Sequence, residues 1–164
     1  MSIDTGCSAS MVALHQACQT IWSGASDISV VAGANALLSP DMFISMSSLG
    51  FVLSTWNERT WLTYSHSALG KDGRCFSWDQ RANGYGRGEG AAVLFLKPLD
   101  AAIEAGDRIH SVIRASGLNH DGKTASLWSP SMDAQIQLIR DTYALAGMDV
   151  RDTAYVEAHV SQTK

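Results

Sequence analysis

The 164-residue chain is 46% apolar and carries a net charge of −4, with acidic and basic residues interspersed. That is enough apolar material for a single core, and the lack of a basic tract removes the electrostatic footprint expected of a nucleic-acid or anionic-membrane partner. No run approaches the ~18–20 consecutive apolar residues of a membrane span, and the first residues lack a basic segment followed by an apolar run, so a cytoplasmic chain is expected.

In chain order, the first feature is the stretch Asp4-Thr5-Gly6-Cys7-Ser8-Ala9-Ser10. It reads as a turn opening into a helix, because Met11, Leu14, Cys18, Ile21 and Trp22 recur at three- and four-residue steps and Gly24 supplies a stop. Cys7 then sits at or near the helix N-terminus. Residues 28–34, Ile28-Ser29-Val30-Val31-Ala32-Gly33-Ala34, are short, β-branched and apolar, and predict a buried strand. Residues 51–70, with Trp56, Trp61 and Tyr64, have neither a helical nor a strand period.

From Gly84 to Gly90 a glycine stands at every second position, which allows a backbone path where side chains would collide. The spacing differs from the G-x-G-x-x-G dinucleotide fingerprint, and Arg87 and Glu89 are expected to pair inside this loop. Residues 90–96 predict a second strand, 99–105 a short helix stopped by Gly106, and 109–115 a third strand. Asn119, Asp121 and Gly122 read as an Asx-type turn. Residues 131–146 predict a helix with a broad apolar face ending at Gly147, and 153–158 a last strand with His159 at its end. Strands alternating with helices define an α/β chain with a largely parallel sheet, whose chemistry collects beyond the strand ends.

Two residues stand out for reactivity. At a helix N-terminus, backbone N–H groups and the positive end of the helix dipole favour a thiolate at Cys7, and the same N–H groups can hold a developing oxyanion. Taken alone, Cys7 reads first as inert packing, and His159 as a hydrogen-bonded structural group. Cys7, Cys18 and Cys75 are an odd number without metal-ligand spacing, which disfavours both a disulfide framework and a structural metal. His15, His66, His110 and His120 read as structural or solvent-facing.

Asp4-Thr5-Gly6-Cys7-Ser8-Ala9-Ser10 resembles the D-T-A-C-S-S-S nucleophile motif of β-ketoacyl synthases, the condensing enzymes of fatty-acid and polyketide assembly. Asn83-Gly84-Tyr85-Gly86-Arg87-Gly88-Glu89-Gly90 resembles their glycine-rich loop, and Gly117-Leu118-Asn119-His120-Asp121-Gly122-Lys123-Thr124 their G-x-N-x-D-G-x-T segment. Tyr155-Val156-Glu157-Ala158-His159 is similar to the stretch presenting their first catalytic histidine, and Leu38-Ser39-Pro40-Asp41-Met42-Phe43 is closest to fungal iterative reducing type I polyketide synthases. The resemblance implies an α/β thiolase-like fold, present in part: the later portion of the first half and the opening of the second. Residues 1–164 are then an internal fragment of one β-ketoacyl synthase domain.

It further implies that Cys7 is the acylated nucleophile and supplies an oxyanion N–H, and that His159 stabilises an enolate. No bound cofactor is implied. The substrates are acyl and malonyl thioesters on the phosphopantetheine of an acyl carrier protein, and the strand Ile28-Ser29-Val30-Val31-Ala32-Gly33-Ala34 matches the segment that pairs across a homodimer. Three departures accompany the match. The family's second histidine, in a K-x-N-x-G-H segment, has no counterpart; Val160-Ser161-Gln162-Thr163-Lys164 stands where the family has G-T-G-T; and residues 51–70 look foreign. Translated intron sequence accounts for the last two, since Val160-Ser161 can be encoded by an intron-start sequence. The other reading of the chain is a non-catalytic remnant acting at most through association.

Overall fold

The computed structural model describes residues 1–48, 69–82, 84–124 and 130–159, so most of the foreign-looking 51–70 stretch and all of 160–164 lie outside the described residues. The chain divides into two units, Met1–Gly33 with Ala92–Val156, and Ala34–Ala91 with Glu157–Lys164.

In the first unit, helix α1 spans Ala9–Trp22. Its predicted stop holds: Gly24 adopts φ 71°, Ala25 N donates to Thr20 O at 3.0 Å, and Gly24 N donates to Ile21 O at 3.0 Å. This is the paired closure that satisfies the last carbonyls of a helix. Strand β1 covers Ser29–Asn35 and strand β2 Gly90–Leu96, and the two are hydrogen-bonded neighbours in one sheet. Helix α3, Leu99–Glu104, follows Pro98 and closes at Gly106 in the same way, with Asp107 N on Ala102 O at 2.9 Å. Lys97 Nζ reaches Asp107 Oδ2 at 2.7 Å across its two ends. Helix α4, Met132–Ala146, stops at Gly147 as expected, with that glycine left-handed at φ 65°; Ser131, placed by the periodicity inside the helix, is its N-cap, Oγ accepting from Ala134 N at 3.2 Å.

The core is small. Among the described residues the buried apolar side chains are Cys18 on α1, Val31 on β1 and Ala102 on α3, at 5%, 7% and 7% exposure. β1 lies against the first turn of α1, since a Cβ added at Gly33 would stand 3.5 Å from Ser10 Cβ.

The strands predicted at 109–115 and 153–158 are not formed; only a 3-10 turn, Val150–Asp152, precedes the second. A β-branched run becomes a strand when a neighbour supplies its ladder bonds, and among the described residues the sheet has two strands. Apolar side chains of these segments therefore face outward, Tyr155 and Val156 at 76% and 64% exposure.

The second unit contains helix α2, Asp41–Ser48, which the periodicity missed. Its signal lies in Ser39-Pro40-Asp41. Ser39 Oγ accepts from Asp41 N at 3.2 Å, and Ile44 N donates to Pro40 O at 3.0 Å, which puts proline directly before the first turn, where its missing N–H is harmless. No helix among the described residues is long and apolar enough to cross a membrane.

Candidate functional site

The turn ahead of α1 is built from short polar side chains. Asp4 Oδ1 accepts from Gly6 N at 3.1 Å, and Ser8 Oγ donates to Thr5 O at 3.1 Å. A hydroxyl has one proton, so the 2.8 Å contact between Thr5 Oγ1 and Ser8 Oγ is donated by Thr5. Ser8 occupies the N-cap position, yet its side chain makes no cap bond, being turned back onto Thr5 instead. Gly6 takes φ 67°, and Ala9 N bonds back to Gly6 O at 3.1 Å. The result is a tight bend that leaves Cys7 exposed, two residues before the first residue of α1.

The other cysteines differ in setting. Cys18 is buried, and burial pushes its thiol above the ordinary range, opposed by a hydrogen bond from Ser116. Cys75 is exposed but its Sγ accepts from Gly86 N at 3.4 Å. Of the three, Cys7 alone is both exposed and at the start of a helix.

His159 is exposed and lies outside any helix or strand. Cys7 belongs to the first unit and His159 to the second, and each is described within its own. His15 Nδ1 contacts Ser116 Oγ at 2.9 Å, and His120 Nδ1 accepts from Gly122 N at 2.9 Å. Both have the structural roles expected of them; His66 lies outside the described residues. Asn119 departs from the turn reading, because its amide Nδ2 donates to Ala134 O of α4 at 2.7 Å.

The glycine-rich loop docks on residues 69–75. Gly70 N donates to Tyr85 O at 2.9 Å, and a Cβ on Gly86 would overlap the carbonyl of Gly73, 2.9 Å from its carbon. The expected pairing of Arg87 with Glu89 does not occur. Glu89 Oε1 instead accepts from Leu37 N at 2.5 Å, and Asn35 Nδ2 donates to Gly88 O at 2.5 Å. Backbone N–H groups freed where β1 ends draw the carboxylate away, and Arg87 Nε is buried without a hydrogen-bond partner.

Sequence reasoning also missed the surface beside this loop. Asp72, Arg74, Phe76 and Arg81 line an open depression of about 570 Å³. Arg81 lies over the Phe76 ring at 4.7 Å and binds Asp79 through two N–H groups, Nε to Oδ1 at 2.9 Å and Nη2 to Oδ2 at 2.6 Å. Those bonds hold the Asp79 carboxyl down at about 2. Phe76 and Trp78 both take positive φ, 49° and 63°, a conformation bulky side chains rarely adopt.

Residues 1–102 match the family described as Beta-ketoacyl synthase, N-terminal domain, and residues 110–164 match Beta-ketoacyl synthase, C-terminal domain. The chain belongs to the β-ketoacyl synthase family, and its fold is the thiolase-like fold of ketosynthase domains, present in part. It is 49% identical over 163 residues to the highly reducing polyketide synthase pks5 of Leptosphaeria maculans, covering 99% of this chain and 6% of that protein. It is 46% identical over 164 residues to the squalestatin tetraketide synthase of a Phoma species, again covering 6% of that protein. Among solved structures, an oxazolomycin ketosynthase domain from Streptomyces albus superposes with a TM-score of 0.84 at 32% identity, over 98% of this chain and 26% of that one. The ketosynthase from module 6 of the bacillaene synthase of Bacillus subtilis gives a TM-score of 0.76 at 36% identity, over 89% of this chain and 23% of that one. The chain thus spans a small part of the length of its relatives.

Proposed function

We propose that this chain supplies the nucleophile of a polyketide-type ketosynthase. The observation that carries the reading is Cys7: exposed, held by the bend at Gly6, and directly ahead of α1. Its thiolate attacks the carbonyl of an acyl thioester carried on the phosphopantetheine of an acyl carrier protein. A new carbon–sulfur bond forms at Cys7, and the carrier thiolate leaves and takes up the proton lost from Cys7. A malonyl thioester then loses carbon dioxide. The resulting enolate carbon attacks the acyl group on Cys7, forms the carbon–carbon bond of a β-ketoacyl thioester, and expels the Cys7 thiolate.

In this reading His159 stabilises the enolate oxygen and the Cys7 backbone N–H the tetrahedral oxyanion. The second histidine of the family is not among the 164 residues, so a full cycle draws on residues beyond them. β1 has β2 as its single strand neighbour among the described residues, and Val30 is 57% exposed, which supports pairing of β1 across a homodimer. Residues 51–70 and 160–164 are proposed to be translated intron sequence that the working transcript splices out; mature transcripts that all encode both stretches would refute that.

The decisive test is acylation. Protein incubated with an acyl thioester and digested for mass spectrometry is expected to carry the acyl group on Cys7, ahead of Cys18 and Cys75. Equal, slow modification of all three cysteines would sink the reading.

A further inference from the structure

A hydroxyl from a distant segment of the first unit bonds the helix that follows Cys7. His15 and Cys18 stand three positions apart on α1 and so share a face. Ser116 reaches this face: His15 Nδ1 is 2.9 Å from Ser116 Oγ in a part-buried setting. The same serine opposes the rise that burial gives the Cys18 thiol.

The segment bearing Ser116 is itself clamped. A Cβ on Gly117 would fall 2.9 Å from Leu138 Cδ1 and onto Thr142 Oγ1, so the backbone there lies directly on α4. Two residues further on, Asn119 Nδ2 bonds Ala134 O at 2.7 Å. Turning α1 about its axis, or sliding it along, therefore strains the His15–Ser116 bond.

We propose that Ser116 is a positioning residue for Cys7: by bonding His15 it sets the rotation of α1, and with it the direction in which the Cys7 thiol and N–H face an incoming acyl carbonyl. The inference rests on the reading of Cys7 as acyl acceptor. Ser116 touches no reacting atom and acts only through the helix, where small misplacements matter because attack needs a closely aligned approach.

The test uses the full-length protein, an acyl N-acetylcysteamine thioester, and single-turnover acylation of Cys7 read by mass spectrometry. Ser116→Ala is expected to slow acylation about tenfold, and Ser116→Thr, which keeps the hydroxyl, to stay within about twofold of wild type. His15→Ala, which removes the other partner of the same bond, is expected to slow it to a similar extent. Ala102→Gly is the control: it loosens the core in α3, lowering the melting temperature without slowing acylation. Nitrogen-15 shifts of the His15 ring should move in Ser116→Ala and stay near wild type in Ser116→Thr.

Wild-type rates in Ser116→Ala or His15→Ala would overturn the inference, and the second variant decides should the first not fold. So would equal slowing by Ala102→Gly, or a threonine variant as slow as the alanine one. A wild-type protein not acylated at Cys7 would overturn the nucleophile reading and this inference with it.

Discussion

The bend before α1 and the loop from Gly84 to Gly90 both turn on a glycine, and the two glycines are needed for different reasons. Gly6 stands at φ 67° with nothing within 4 Å of where a Cβ would go. Gly86 has no positive φ, but a Cβ there would enter the backbone of Gly73. One position is set by local dihedral preference and the other by a contact between distant segments. The first kind of constraint is written in neighbouring residues, and the second only in the folded chain.

Removing the chemistry from one region gives the largest effect. Cys7→Ala is expected to cut acyl transfer by at least about a thousandfold, since it deletes the attacking atom. Cys75→Ala, in the other region, should leave transfer unchanged, as its thiol does no more than accept from Gly86 N. Mass spectrometry of the acylated protein separates the two. Comparable losses in both variants would erase the distinction between a reactive and a structural thiol.

The glycines themselves come next. Gly86→Ala forces a methyl into backbone that cannot swing aside, and overpacking of this kind costs about 1–3 kcal/mol. Gly6→Ala meets no atom and pays only for a left-handed alanine, about 1–2 kcal/mol. The resembling family motif has alanine at this position, so acylation should survive the change. Thermal melts of the two variants are expected to rank Gly86→Ala below Gly6→Ala. The reverse order would show that dihedral strain outweighs contact here.

The same division explains what was legible in the sequence. Cys7 at the start of a helix and the stops at Gly24, Gly106 and Gly147 are local features, and each is where the residues put it. The strands at 109–115 and 153–158 were misread because a strand depends on a neighbour, and no periodicity reports whether the neighbour is there. Arg87 and Glu89 were paired on adjacency, whereas the Leu37 N–H, 52 residues away, takes the carboxylate. Helix α2 is a local feature that apolar periodicity does not carry; its signal is the capping chemistry of Ser39-Pro40-Asp41.

The smallest effect is expected at the surface beside the glycine loop, where Asp79 and Arg81 form an exposed bidentate pair. The Arg81 N–H groups stabilise the charged carboxylate, so the folded-state value of Asp79, about 2, lies below that of an unfolded chain. Whatever stability the pair contributes is therefore present in full above about pH 4 and is lost as pH falls toward 2. Both groups face solvent, so screening keeps that contribution small, and added salt should reduce it further. Asp79→Asn should consequently melt like wild type at pH 7 in high salt, and differ from it only in the shape of the acid limb between about pH 4 and 2. The carboxyl carbon-13 shift of Asp79 reports the same event directly. A titration midpoint near the ordinary aspartate value would mean that Arg81 is not held over Phe76 in solution, and that the depression lined by Asp72, Arg74, Phe76 and Arg81 is less ordered than the bend that presents Cys7.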